Sequence, residues 1–489
     1  MRRNTQLIFF CLSLFCHMAS GSFLRMMNHK LNLGSQLSSN NYEPPGGLEI
    51  KVLEGPPSLS SSNRFARRKS TQSHRYVFAH IVQGNFQVYQ ADDWKADMEL
   101  AKASGIDAFA INIGRDTTNA KQLPLAYDVA DSIGFSLFLS FDMVYYGQAD
   151  SSRDVIQLIR AYSKRKSQFR YQGKPLVSTF SGEVAGTFLD NNPDYNGAWQ
   201  SLKNKIGFPI YFLPAWTGAQ PSTASSADGV LSWDAWSSAS SSPDEKNRRI
   251  FAAAGKQYAA PISPFFFKHL EQGEGGNYIH SNNDQLVIER YLQLIRSPPA
   301  FIELLTWNDY GESHYLRDPR PSANLPKGVI SAHDYVDGFP HEPLLDMLSH
   351  FNLWYKHGSQ PKISKSKVYM WYRPHPKGAQ ASSDPLSIPR SANECQDNLY
   401  IFLIVAAEKK LTKIVVESGK VTYSKNLVKY FSKSENTLIR FSIPFQPGEK
   451  QSVRLFDSTG KEAANLIGIP IEPSPNKYNF NYWSGMATF

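Results

Sequence analysis

Asp309 and Glu312 stand three residues apart in residues 306–315, TWNDYGESHY, among Trp307, Tyr310 and Tyr315 and close to His314. No lysine or arginine lies between Ile302 and Tyr315 to pair with them locally. Two acids in one confined site repel, which raises one pKa and leaves the other group ionised, so such a pair divides into an acid and a base. Cleaving a glycosidic bond requires that division: a carboxylic acid protonates the leaving oxygen while a carboxylate activates water or attacks the anomeric carbon. Asp142 is a third candidate, because it ends the mostly apolar run SLFLSFD and is not easily a surface charge. An ion pair or a helix cap is the structural alternative for all three acids. Rings suit a sugar, whose C–H faces pack on aromatic surfaces while its hydroxyls seek polar groups. Trp216, Trp233, Trp236, Trp307 and Tyr310 are the candidate platforms, with Asp234 a candidate partner for hydroxyls. Each ring taken singly fits a core better than a subsite; gathered at strand ends, together they favour the sugar site.

Other chemistries lack their residues. Neither H-x-x-x-H nor C-x-x-C occurs, so no metal is expected, and no cofactor. TFSGE around Ser181 is not a G-x-S-x-G elbow, and no Gly-rich phosphate loop precedes a helix. His80, His314 and His341 are candidates for orienting substrate or for structural duty. Basic clusters at RFARRKS and YSKRKSQFR are small, and no stacking aromatics interleave with them, so no nucleic-acid partner is expected despite a net charge of +9.

The acids need elements that bring them together. From Tyr76 the chain repeats short apolar runs followed by helix-like stretches: YVFAHIV, DAFAINIG, SLFLSFD, PLVSTFSG, IYFLPAW, GVLSWDAW, APISPFF and FIELLTWND. Several runs follow a glycine, as in ASGIDAF, SIGFSLF and KIGFPIY, where a helix C-cap hands over to a strand. Residues 93–103, 125–133, 153–164 and 284–295 carry apolar residues at three- and four-residue spacing. Eight such strand–helix units predict a (β/α)8 barrel over 75–360, whose strand ends converge on one face, where active sites are built. Beyond it, KVYMWYRP, NLYIFLIVAA, TKIVVES and SVRLFDS predict a β-sandwich-like domain over 361–489 that buttresses the barrel. The tail NKYNFNYWSGMATF is aromatic enough to pack back onto something.

At 489 residues and 41% hydrophobic, the chain carries enough apolar material to exclude disorder throughout. The N-terminus, MRRNTQLIFFCLSLFCHMASGS, reads as a signal peptide over 1–21, and no later run is long enough to span a membrane. Residues 22–74 read as a polar linker or pro-segment, with Arg67–Arg68 a possible dibasic processing site. Removing the leader leaves Cys395 alone, so no disulfide framework is expected, and no Asn-x-Ser/Thr sequon occurs. An exported monomer, extracellular and cell-wall associated, is the expectation.

YVFAHIVQGN, GIDAFAINIG, GFSLFLSFDM, PLVSTFSG, FLPAW, DGVLSWDAW, SPFFF, ELLTWNDYGESHY and VYMWYRPHPKGA resemble, in this order, the fungal α-1,3-glucanases, or mutanases, of glycoside hydrolase family 71. The resemblance implies a (β/α)8 catalytic domain with an accessory β domain, hydrolysis of α-1,3-glucan in fungal cell walls, and inversion at the anomeric carbon. It also implies that Asp142, Asp309 and Glu312 are the acids tied to activity. The expected division makes Glu312 the general acid, Asp309 the base that positions water, and Asp142 a third carboxylate that holds substrate or tunes their pKa values, with Asp142 as the base a variant. Inversion needs about 6.5–9.5 Å between acid and base. The alternative to an enzyme is a secreted wall protein that holds glucan without cutting it.

Overall fold

The computed structural model describes residues 50–53, 74–147, 150–184, 186–237, 243–273, 275–280, 284–431 and 436–489. The expected leader at 1–21 and the dibasic pair lie outside the described residues. Within the polar segment, Lys51–Val52 form a short strand on the edge strand Thr437–Pro444 of the C-terminal unit, so part of that segment is docked.

Eight parallel strands close a barrel: β1 Tyr76–Val82, β2 Ala108–Ile113, β3 Ser136–Asp142, β4 Lys174–Phe180, β5 Tyr211–Ala215, β6 Gly229–Leu231, β7 Gln257–Ile262 and β8 Phe301–Leu304. Sequential strands are neighbours, β8 returns to β1, and β3 pairs with β4 to complete the circuit. The strands read as near-continuous apolar runs because both faces are buried. Val77, Ile81, Phe109, Ile111, Leu137 and Leu139 face the surrounding helices. The alternate residues Phe78, Phe138, Leu176, Tyr211, Leu213, Leu231 and Phe301 fill the interior. Phe78 meets Phe138 edge to face at 4.9 Å and stacks on Phe301 at 5.5 Å. A packed interior confines polar chemistry to the C-terminal mouth.

Helices α1 Ala91–Ala103, α2 Asn119–Ile133, α3 Ser151–Tyr162, α4 Tyr195–Ile206, α5 Asp244–Ala253, α6 Leu286–Arg296 and α7 Glu342–His357 cover the barrel. Helix α2 begins at Asn119, earlier than its periodicity predicts, and carries Pro124 as its sixth residue, at the cost of the hydrogen bond that residue would make to the carbonyl four residues before it. Gly134 and Gly207 end α2 and α4 in the left-handed region at φ 66° and 85°, the C-cap conformation that glycine adopts without a Cβ penalty.

The C-terminal unit is two antiparallel sheets. β9 Lys367–Tyr372, β10 Asn398–Val405, Thr437–Pro444 and Trp483–Thr488 belong to a five-stranded sheet, and Val421–Asn426, Leu411–Ser418, Gln451–Asp457 and Glu462–Ile467 make a four-stranded one. Val368, Met370, Ile401, Leu403, Ile414, Val416, Val453 and Leu455 meet between the sheets. The opposite face of the first sheet, with Tyr369, Trp371, Tyr400 and Phe402, joins the barrel's outer core beside Phe351 and Trp354 of α7. The tail returns to the barrel: Tyr482 stacks on Phe265 at 3.6 Å, and the Asn481 side chain donates to Tyr315 Oη at 3.1 Å. Cys395 is buried and in no disulfide. No helix among the described residues is long and apolar enough to cross a membrane.

Candidate active site

β8 stops at Leu304, and the next dozen residues are tied to the barrel rim by their own backbone and side chains. Thr306 N–H donates to His314 O at 2.8 Å, closing the loop on itself, and Trp307 N–H donates to His80 O at 2.7 Å. The Asn308 amide takes Val82 N–H at 2.8 Å and donates to Val82 O at 2.9 Å, so a side chain continues the strand pairing past the end of β8. Thr306 Oγ1 accepts from Asp309 N–H at 2.7 Å, and Tyr335 Oη donates to Gly311 O at 2.8 Å. Thus fixed, Asp309 and Glu312 face one cavity with His80 and Val82 of β1, Asn112 of β2, Phe180 of β4, Trp233 and Thr306.

The two acids have different neighbours. Glu312 Oε1 lies 3.2 Å from Lys268 Nζ and Oε2 lies 3.1 Å from His314 Nε2, whereas Asp309 Oδ2 is 3.6 Å from His314. Burial alone would raise Glu312, but the Lys268 ammonium and the His314 hydrogen bond outweigh it and hold the carboxylate below its usual range. Asp309 moves the other way: burial and the charge of Glu312 raise it more than His314 and Lys268 lower it. Burial would lower His314, yet its hydrogen bond to Glu312 and the charges of both acids raise it. The two carboxyl groups are therefore displaced in opposite directions, Asp309 toward keeping its proton and Glu312 toward ionisation. Their nearest oxygens lie within 4.8 Å of each other, with His314 in the same cluster.

Those three side chains are also the set among the described residues whose donors converge as metal ligands would. Lys268 already brings a positive charge to Glu312, which fits a proton-transfer site better than a divalent cation.

Asp142 ends β3 with the inward parity of Phe138, beside Phe180 on β4. It accepts Val144 N–H at 3.0 Å, capping the helical turn Met143–Tyr146. Burial pushes it up to about 7, against the Val144 bond and with a contribution from Asp116. It is not among the residues lining the cavity of Asp309 and Glu312. Glu183, just beyond β4, is likewise pushed by burial to about 7; Oε1 accepts from Thr217 N–H at 2.9 Å, and Oε2 is buried without a hydrogen-bond partner.

The ring candidates divide. Trp233 lines the cavity, edge to face with His80 at 4.9 Å and Phe180 at 4.8 Å. Its φ of 53° costs of order 1–3 kcal/mol for a bulky residue, so the surrounding packing holds the ring there. Trp236 is half-buried, stacked on His280 at 5.2 Å and edge to face with His314 at 5.4 Å. Asp234 accepts from Ser237 Oγ at 2.5 Å in a turn of its own. Trp216, Trp307 and Tyr310, expected as platforms, are instead wholly buried. Trp216 packs against Tyr195 and Phe212, Trp307 lies on Phe109 with Nε1 donating to Asp97 of α1, and Tyr310 packs beside Tyr315. They build the walls and offer no free face. His341, with its nitrogens at Tyr315 O and Tyr482 O, is structural.

Two residues in contact with this site were not anticipated. Lys268 comes from the hairpin Phe267–His269 and Asn277–Ile279 between β7 and β8, 44 residues from Glu312. Glu303 lies inside β8, with Oε1 at 2.8 Å from His80 Nδ1. Its signal was present: a charge within the apolar run FIELL.

A closed (β/α)8 barrel with an acid and a carboxylate in a ring-walled cavity at its C-terminal mouth is the build of a barrel glycoside hydrolase. The model of glycosyl hydrolase family 71 matches residues 73–489, and the chain belongs to that family. It is similar to the glucan endo-1,3-alpha-glucosidase agn1 of Schizosaccharomyces pombe, 34% identical over 86% of this chain and 96% of that one. A mutanase of Penicillium rubens is 32% identical over 74% of this chain and 79% of its own length. The ascus wall endo-1,3-alpha-glucanase of Schizosaccharomyces pombe is 31% identical over 72% and 84%.

Proposed function

We propose that this chain hydrolyses α-1,3-glucan of fungal cell walls outside the cell, as a monomer acting with inversion. The observation that carries the reading is the unequal pair at the end of β8: Glu312 lies between Lys268 and His314 and is shifted down, while Asp309 has only the more distant His314 and is shifted up. The family match and the names of the relatives support the substrate, and the leader-like N-terminus and the ascus wall relative support an extracellular, wall-associated site.

The electrostatics favour Asp309 as the general acid, the reverse of the division expected from sequence. Glu312 is held between Lys268 and His314, with an oxygen no more than 4.8 Å from one of Asp309, so it stands beside Asp309 rather than across the cavity from it. Glu312 therefore keeps the proton on Asp309, and the base is Asp142. It points inward three strands round the barrel from β8, pairs in register with the cavity-lining Phe180, lies two residues beyond Ser140, the register partner of the cavity-lining Asn112, and is pushed up to about 7, where a general base works well. Trp233, Trp236 and Asp234 are the substrate contacts.

The test is reducing-sugar release from a panel of α- and β-glucans, with the first product followed by proton NMR. Release from α-1,3-glucan alone, with the β-anomer appearing first, is expected. An α-anomer would remove inversion, and binding without release would leave a glucan-holding wall protein. Azide should restore part of the activity of Asp142→Asn if Asp142 is the base.

A further inference from the structure

His80 of β1 and Glu303 of β8 occupy adjacent strands in the barrel interior, with His80 Nδ1 2.8 Å from Glu303 Oε1. The side chains are 3% and 1% exposed. Two ionisable groups beside an interior otherwise filled by Phe78, Phe138 and Phe301 are expensive to desolvate, and the cost is not recovered as stability. Glu303 Oε2 is buried with no partner, so the pair is only half satisfied. His80 also lines the cavity that holds Asp309 and Glu312, and its Nε2 has no hydrogen-bond partner among the described residues. A carboxylate on Nδ1 sets the tautomer of an imidazole and aims the other nitrogen as an acceptor. The Trp233 ring, edge to face at 4.9 Å, fixes the imidazole plane, and the bond from Trp307 N–H to His80 O at 2.7 Å joins its backbone to the acid loop.

We infer that His80 is a substrate-positioning residue: Nε2 accepts a hydrogen bond from one hydroxyl of the glucosyl unit being cleaved, and Glu303 keeps the proton on Nδ1. This rests on the glucan reading above. The bond anchors the sugar at the cavity floor while Asp309 reaches the leaving oxygen, and hydrogen bonds to such hydroxyls strengthen in the transition state. No bond of the substrate is made or broken at His80.

The test uses His80→Asn. The asparagine amide nitrogen takes the place of Nδ1 and keeps the bond to Glu303, but nothing stands where Nε2 was. A structural role would survive the change; the positioning role would not. We expect kcat/KM on α-1,3-gluco-oligosaccharides to fall about 50- to 100-fold, mostly in kcat, with Tm within about 2 °C of the parent. Wild-type kcat/KM in a folded His80→Asn protein overturns the inference. Should that variant not fold, imidazole 15N spectra of the unmutated protein decide. Added α-1,3-glucobiose moves the His80 Nε2 resonance and leaves Nδ1 in place if the inference holds, and moves neither if it fails. If the unmutated protein releases no sugar from α-1,3-glucan, the proposed function fails instead.

Discussion

Two groups of carboxylates crowd the rim of the same barrel in different company. On the β8 side, Asp309 and Glu312 share His314, and of the two acids Glu312 is the one paired with Lys268. On the β3–β4 side, Asp142 and Glu183 have no cation within ion-pair distance among the described residues, and burial drives both the same way, to about 7. Burial by itself raises every acid, and mutual repulsion divides a close pair without choosing which member stays ionised. A cation nearer one member makes that choice, and here it is a lysine from another loop.

Replacing Asp309, the acid proposed to deliver the proton, has the largest expected effect. Asp309→Asn should lower kcat on α-1,3-glucan by about 10³–10⁴, read as reducing-sugar release; a loss under tenfold would make the two sides equivalent.

The rings behind the two groups separate next. Trp216, whose Nε1 lies under Gly182 beside Glu183, is core, so Trp216→Ala should cost about 3–5 kcal/mol in denaturant unfolding. Trp233→Gly on the β8 side should cost about 1 kcal/mol or less in stability, because glycine adopts φ 53° without a Cβ penalty, and should instead weaken glucan binding. Equal stability losses would erase the distinction.

Removing the cation should make the β8 side resemble the other. In Lys268→Met, Glu312 keeps only His314, so it takes up its proton at a higher pH than in the parent. The acid limb of kcat/KM should move upward and the maximum should fall by about 10². An unmoved limb would mean that Lys268 does not set the split.

The smallest effect lies on the β4 side. The folded pKa of Glu183, about 7, is above its unfolded value, so the folded state binds more protons between the two. Stability should therefore fall as pH rises from about 4 to 7 and level off above. Glu183→Gln should flatten that slope by roughly 1–2 kcal/mol, measured as unfolding free energy at pH 5 and pH 8.

The barrel was legible because its strands are buried on both faces and stand out as apolar runs, and the glycines before them mark helix ends such as Gly134 and Gly207. The aromatic tail was legible as a packing element, though not its partners, Phe265 and the loop of Tyr315. The site was legible only as far as local spacing reaches. Asp309 and Glu312 stand together in the chain, but Lys268 is brought in by a hairpin, and a window without basic residues says nothing about such a partner. The rings were misread for a related reason: strand ends pass into irregular loops, where alternation no longer tells an inward ring such as Trp233 from buried ones such as Trp216 and Trp307. Glu303 was hidden inside an apolar run, although its charge there marked it.

The central claim is that Asp309, not Glu312, carries the proton delivered to the leaving oxygen. It is tested most directly by comparing glucan with α-1,3-oligoglucosyl fluorides, whose fluoride departs without protonation. Asp309→Asn should be slower than the parent by about 10³ or more on glucan, yet within about tenfold of it on the fluoride. An Asp309→Asn enzyme as impaired on the fluoride as on glucan, with Glu312→Gln the variant restored, would contradict the account.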